Sequence, residues 1–214
     1  MRLILLIVFT ISLIACKKHD DTYIDNNFQD LSDTLIQASQ FLVNFSEVFY
    51  DLDIDRDSVV DLTIKTHTNY SSFALRENYI QILLKNGYEI NYSKFIETTW
   101  NWNPDLVDTI FHNNTIMIPK IHHINDTIKI DSDFSNNSLM LTYSLDPGVM
   151  GRSYNSYINR NMWISDDYKY IVLRKIGVNE KRLAWIKVKV TGYQSIILNC
   201  CNYFKETNEI LIEQ

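Results

Sequence analysis

What most constrains this chain is the period of its apolar residues. Short β-branched runs recur along its length, broken by Asn, Asp and Gly, and none sustains the 3.6-residue spacing of a long amphipathic helix. Val59-Val60-Asp61-Leu62-Thr63-Ile64-Lys65 is one such run. Tyr79 to Leu84 leads to Asn86-Gly87, a strong turn dipeptide, and Tyr88 to Tyr92 resumes the alternation, which predicts a β-hairpin. Thr115 to Ile118, Thr127 to Ile130 and Leu139 to Tyr143 follow, with Pro147-Gly148 as a further turn. Near the C-terminus, Tyr168 to Ile176 and Leu183 to Val190 flank a turn at Gly177 to Lys181. On the second of these strands Ile186, Val188 and Val190 share one face, and Trp185, Lys187 and Lys189 share the other. The lysine stems can therefore lie across the indole. Gln194 to Asn199 and Glu209 to Glu213 complete the set. Phe28 to Phe45 reads both ways: Asp30-Leu31-Ser32-Asp33 could cap a short helix carrying Leu35, Ile36 and Phe41, yet Phe41-Leu42-Val43-Asn44-Phe45 also fits a strand. The pattern predicts a mainly β fold, an antiparallel sandwich or partly closed barrel, as a single domain over 28–214.

Composition narrows the function classes. The 46% hydrophobic content is ample for one core, and nothing in it reads as disorder. With 20 basic against 26 acidic residues and no basic cluster beyond Lys17-Lys18, the chain lacks the phosphate-neutralising surface that nucleic acid needs. Three cysteines rule out a disulfide scaffold. Cys200 and Cys201 are neighbours that a strand points to opposite faces, so they read as two packed free thiols.

The N-terminus carries an address. Arg2 precedes an apolar run from Leu3 to Leu13, interrupted only by Thr10 and Ser12, and Leu13-Ile14-Ala15-Cys16 closes it. A basic start, a short apolar core and small residues at the cut form a secretory signal over 1–15, too short to span a bilayer. Leu13 to Cys16 resembles the lipobox of bacterial lipoproteins. That resemblance implies cleavage before Cys16, acylation of Cys16 and anchoring in the outer membrane, facing the periplasm or the cell surface. Loss of Met1 to Ala15 removes Arg2 and no acid, leaving 19 positive and 26 negative charges. Residues 16–27 then form a lipidated cysteine and polar tether. Within them Lys17-Lys18-His19-Asp20-Asp21 resembles the surface-export signal of Bacteroidota lipoproteins.

One loop carries most of the candidate chemistry. Asp51-Leu52-Asp53-Ile54-Asp55-Arg56-Asp57-Ser58-Val59-Val60-Asp61 places a carboxylate at every second residue, then one more after a gap. In an extended chain Asp51, Asp53, Asp55 and Asp57 would crowd one side and repel. Wrapping them around a hard cation removes the repulsion, and calcium takes about six to eight oxygen ligands. With Asp53 as position one, Asp55 and Asp57 fall at three and five, the carbonyl of Val59 at seven and Asp61 at nine. This spacing resembles the Asp-rich calcium loops of thrombospondin type 3-like repeats and of Bacteroidota lipoproteins, and implies a structural Ca2+ site. Ser58 stands where those loops usually carry glycine. Ile64 stands where an EF-hand carries its bidentate glutamate, which excludes an EF-hand.

The remaining constellations are weaker. Tyr168 to Arg174, a turn and Leu183 to Val188 resemble a strand pair of secreted, mostly uncharacterised Bacteroidota proteins, which bears on fold and location alone. His112, His122 and His123 lack metal-ligand spacing and read as surface histidines. Trp100 and Trp102 sit at strand spacing: exposed, they would form a platform for sugar rings; buried, they are core. No Gly-x-Ser-x-Gly elbow and no phosphate-binding glycine loop is present. The reading is a lipid-anchored, non-catalytic binding or structural module with a calcium site, its membrane contact made through the lipid. Two rivals remain: a carbohydrate-binding accessory of a glycan-uptake system, and a glycoside hydrolase with unrecognised carboxylates.

Overall fold

In the computed structural model, the described residues are 28–39, 45–70, 76–103, 108–146, 158–177 and 180–212. The signal segment, Cys16, the tether and the Pro147-Gly148 turn lie outside them. Every regular element among the described residues is a strand. A seven-stranded sheet is built from β1 (Gln29–Gln37), β5 (Tyr88–Asn103), β6 (Asp108–Pro119), β8 (Phe134–Ser135), β11 (Lys169–Gly177), β12 (Glu180–Gly192) and β13 (Ser195–Lys205). Its order is β1-β13-β12-β11-β5-β6, with β8 pairing to β5. A five-stranded sheet runs β10-β9-β4-β3-β2, from β2 (Phe45–Leu52), β3 (Leu62–Tyr70), β4 (Arg76–Leu84), β9 (Leu139–Asp146) and β10 (Ile158–Arg160). The third sheet is a ribbon of β7 (Thr127–Lys129) and β14 (Glu209–Leu211). All the pairings between named strands are antiparallel and, among the described residues, no barrel closes, so the fold is a β-sandwich.

The Asn86-Gly87 turn forms as the dipeptide demands, with φ +51° and +77° and the Tyr88 N–H donating to the Lys85 carbonyl at 3.1 Å. It does not close a hairpin. β4 pairs with β3 and β9, whereas β5 pairs with β6, β8 and β11. The reason lies in the phase of the alternation. A two-residue hairpin here would set Ile82 opposite Asn91 and Leu83 opposite Ile90. Opposed residues share a face, so Ile80 and Ile82 would point away from Tyr88 and Ile90. All four are instead buried in one core, which requires the turn to carry the chain from one sheet to the other.

That core lies between the large sheets. Ile64, Ile80, Ile82 and Leu141 meet Ile90, Ile171, Ile186, Val188 and Leu198 there. A second core covers the opposite face of the seven-stranded sheet, where Val172, Leu183, Trp185 and Cys200 pack under Ile128 and Ile210 of the β7–β14 ribbon. Burial on both faces explains why Tyr170-Ile171-Val172-Leu173 is continuously apolar rather than alternating. Trp185 packs edge-on against Tyr170 in this second core, while the Lys187 ammonium lies over the Tyr168 ring at 5.2 Å.

Where a helix capped at Asp30 to Asp33 was one expectation, Gln29–Gln37 is strand, and a bulge disguises its alternation; Phe41 to Asn44 lie outside the described residues. Asp30 stands opposite Cys200 but Thr34 opposite Leu198, with Ser32 and Asp33 at φ +51° and +53°. β13 carries a matching extra residue, Asn199, between the pairs Lys187–Cys200 and Val188–Leu198. Asp33 ties the two bulges by accepting hydrogen bonds from Asn199 Nδ2 and Tyr168 Oη, each at 2.8 Å, and Asn199 foremost holds its carboxyl below the usual range. The β13 bulge flips the face after Leu198, so Cys200 enters the second core and Cys201 the first. Both are packed as thiols, with Cys200 Sγ 3.2 Å from Asn199 Oδ1 and Cys201 Sγ 3.5 Å from Gln29 Oε1.

His122 departs from the surface reading. Bridged to Tyr170, it is buried, with Nε2 2.7 Å from Asn91 Oδ1, while His123 is exposed and the His112 side chain lies outside the described ones. Burial first, and Lys120 next, bring its pKa from 6.5 down to about 4. The unfolded chain therefore binds a proton that the folded one refuses, and stability falls as pH drops from 6.5 towards 4. The loss should approach about 3 kcal/mol at the acid end. Urea midpoints across this window should show the decline in the wild type and a flatter profile in His122→Gln, which keeps a donor for Asn91.

Candidate metal centre

The acidic loop joins β2 to β3, and Ile54 pulls it inward. That side chain is fully buried in the main core, dragging Asp55 and Asp61 below the surface with it. The base of the loop is stitched by the Asp61 N–H to the Leu52 carbonyl at 2.9 Å and the Lys85 N–H to the Asp61 carbonyl at 2.8 Å. Two tight bends make the wrap, with Arg56 at φ +59° and Ser58 at φ +69°. Ser58 thus occupies, as a serine, the left-handed position where the resembled loops carry glycine.

Of the residues singled out in sequence, Asp53, Asp55 and Asp61 converge, each presenting a carboxylate oxygen within 4.8 Å of the others. Asp61 is the hub. Its Oδ2 accepts the Ile54 N–H at 2.8 Å and the Asp55 N–H at 3.4 Å, and its Oδ1 accepts Asn86 Nδ2 at 3.0 Å. Burial nevertheless dominates and raises its pKa, Asn86 and the Ile54 N–H only partly opposing it. Asp53 accepts the Asp57 N–H at 3.2 Å and the Ser58 N–H at 2.8 Å.

Asp57 and Asp51 stay out of the cluster. Asp57 is exposed and caps its own turn, its Oδ1 accepting the Val59 N–H at 2.8 Å. Val59 is thereby tied to Asp57 through its N–H, and its side chain is exposed. Asp51, on β2, accepts from the Thr63 hydroxyl and from Lys85 Nζ at 3.2 Å, and these bonds lower its pKa.

Sequence reasoning missed the counter-charge. Arg182, on β12 of the opposite sheet, forms an ion pair with Asp55, and Tyr88 Oη donates to the same oxygen at 3.4 Å. No local spacing announces a partner so far along the chain. Chemically, the site is three hard oxygen donors with one guanidinium at its rim. The donor type is that of a calcium site, with Arg182 as a built-in competitor for one oxygen of Asp55.

A second constellation, also unread in sequence, crosses the outer face of the five-stranded sheet. Glu47, His67, Tyr79, Tyr143 and Arg160 are successive cross-strand partners from β2 to β10. Glu47 sits 3.0 Å from His67 Nδ1, Tyr79 stacks on the imidazole at 4.4 Å, and Arg160 clamps Glu97 of β5 at 2.5 and 2.8 Å. The row fastens five strands to the β5–β6 ribbon. Trp100 and Trp102 hold same-face register positions in that ribbon, opposite Phe111 and Thr109, and their side chains lie outside the described ones.

Replacing Ser58 by glycine relieves the left-handed strain without touching a carboxylate. Ser58→Gly should raise the melting temperature, by the equivalent of about 0.5–1 kcal/mol, as read by thermal circular dichroism.

No family model, curated protein or solved structure matches this chain.

Proposed function

We propose that this chain is a lipoprotein of the bacterial outer membrane, carried on acylated Cys16, whose β-sandwich is a non-catalytic binding or structural module stabilised by calcium. The observation that supports the metal most directly is the convergence of Asp53, Asp55 and Asp61 on a loop whose glycine position is already left-handed. Three carboxylates, two of them buried, face the guanidinium of Arg182 and the charge of Lys175 on Asp61, which leaves an excess of negative charge at the loop. Asp61 carries the clearest sign of that cost, since burial raises its pKa and ionising it at neutral pH opposes folding. A divalent cation offsets both the burial and the mutual repulsion. Asp53, Asp55 and Asp61 would hold it, with water or backbone oxygen completing the shell. The role is structural: the ion pins the crossing from β2 to β3 against β12.

The anchor rests on the order Leu13-Ile14-Ala15-Cys16 after an apolar core. Permanent attachment suits a domain that holds a ligand or an envelope partner rather than one that diffuses to a substrate. Mass spectrometry of the native product should find Met1 to Ala15 absent and fatty chains on Cys16; an intact leader or a bare thiol refutes the anchor.

Titration calorimetry of the detergent-solubilised chain should give a calcium isotherm that Asp55→Ala and Asp61→Asn abolish. Arg182→Gln separates metal from mere loop packing. Without calcium it takes away the ion-pair partner of Asp55 and destabilises by up to about 3 kcal/mol. With calcium it should bind more tightly than wild type and recover most of that loss. An Arg182→Gln protein indifferent to calcium overturns the metal reading.

A further inference from the structure

We infer that Asn86-Gly87 is a self-modifying site: the Gly87 amide closes on the Asn86 side chain, ammonia leaves, and water opens the resulting imide to put a carboxylate beside Asp61. Both residues are exposed, and of all the asparagines in the chain only Asn86 precedes a glycine. The Gly87 amide lies after the end of β4 at Leu84 and before the start of β5 at Tyr88, outside either ladder. A Cβ built on Gly87 would meet nothing within 4 Å, so no neighbour crowds the attacking nitrogen.

The turn is one rotation away from the geometry that ring closure demands. Positive φ at both Asn86 and Gly87 makes it type I′. A five-membered imide needs the Gly87 nitrogen eclipsed with Asn86 Cβ, at a ψ of about −120°, the value at the first central position of a type II′ turn. That position also takes a φ of about +60°, and Asn86 already stands at +51°. Rotating the single peptide plane between the two residues converts one turn into the other. Only the second residue changes the sign of its φ, and a glycine does so without steric cost. The Tyr88 N–H to Lys85 carbonyl bond spans the turn in both forms.

In the first step a bond forms from the Gly87 nitrogen to Asn86 Cγ and the Cγ–Nδ2 bond breaks. Nδ2 departs as ammonia with the proton that the Gly87 nitrogen gave up. Water then cleaves the imide. Attack at Cγ gives aspartate; attack at the main-chain carbonyl gives isoaspartate, which routes the backbone through Cβ. The nitrogen lost is the one that donates to Asp61 Oδ1 at 3.0 Å. Asp61, buried at the hub of the acidic loop, thus exchanges a hydrogen-bond donor for a second carboxylate. The exchange falls on the turn that carries the chain from one sheet to the other.

Holding the detergent-solubilised full chain in warm, mildly alkaline buffer made with heavy-oxygen water should convert Asn86 to a mixture of aspartate and isoaspartate. Peptide mapping should find the new oxygen there before it appears at the exposed Asn113, Asn114, Asn136 or Asn137. With chelator present, Asn86→Asp should melt below the wild type. Asn86→Asp/Asp61→Asn swaps donor and acceptor and should recover most of that loss. If either variant fails to fold, melting the aged wild type against fresh protein supplies the comparison. An Asn86 that keeps its amide, or loses it no sooner than those four, overturns the modification. An Asn86→Asp protein that melts with the wild type, or aged protein that melts with fresh, overturns its coupling to Asp61.

Discussion

Burial of the centre of the seven-stranded sheet, β11 to β13, on both faces is the constraint from which the rest of the architecture follows. A sheet covered on one side alternates apolar and polar residues; one covered twice must be apolar almost throughout. Tyr170 to Leu173 meets this demand, with Tyr170 and Val172 facing one core and Ile171 and Leu173 the other. The covering layers are unequal. One is the five-stranded sheet. The other is a ribbon of two three-residue strands, which suffices because Tyr170, Trp185 and Phe204 supply bulk beneath it. Arg174 fastens the neighbouring loop by binding Glu89 at 2.5 Å and the Ile130 carbonyl at 2.6 Å, with its guanidinium 4.5 Å from the Phe134 ring centre.

Much of this was legible in the residues. Fold class, the β11–β12 pairing and the opposed faces of Ile186 and Trp185 all followed from two-residue periodicity. The misreading at Asn86-Gly87 came from weighting the turn over the phase. The dipeptide fixes local backbone geometry, but which sheet each strand joins depends on where Ile82 and Ile90 must point. β1 resisted a decision because its bulge puts Leu31 and Ile36, both buried, out of step. His122 was misplaced because its burial depends on Asn91, a partner that no local pattern indicates.

The acidic loop divides along the same line. The carboxylate spacing marked Asp53, Asp55 and Asp61, and the left-handed bend sits at the position the pattern assigns to glycine. Spacing alone could not show that Asp57 turns back to cap the Val59 N–H, or that Arg182 reaches across from the other sheet. Local hydrogen bonding turns Asp57 towards its own bend, and tertiary packing supplies a cation from the protein itself. Both outcomes follow from Ile54, whose insertion into the core decides how deep the loop sits and which groups it meets.

The bulge at Asn199 gives adjacent cysteines to separate interiors. Cys200 is lodged beneath the ribbon, and Cys201 lies between the large sheets with its thiol pushed up to about 12 by burial. A folded molecule therefore offers neither sulfur in reactive form. Each becomes alkylatable only when its own layer opens, so the order in which the two are modified records which side of the sandwich loosens first. One extra residue in a strand has turned a vicinal pair into two independent reporters of local unfolding.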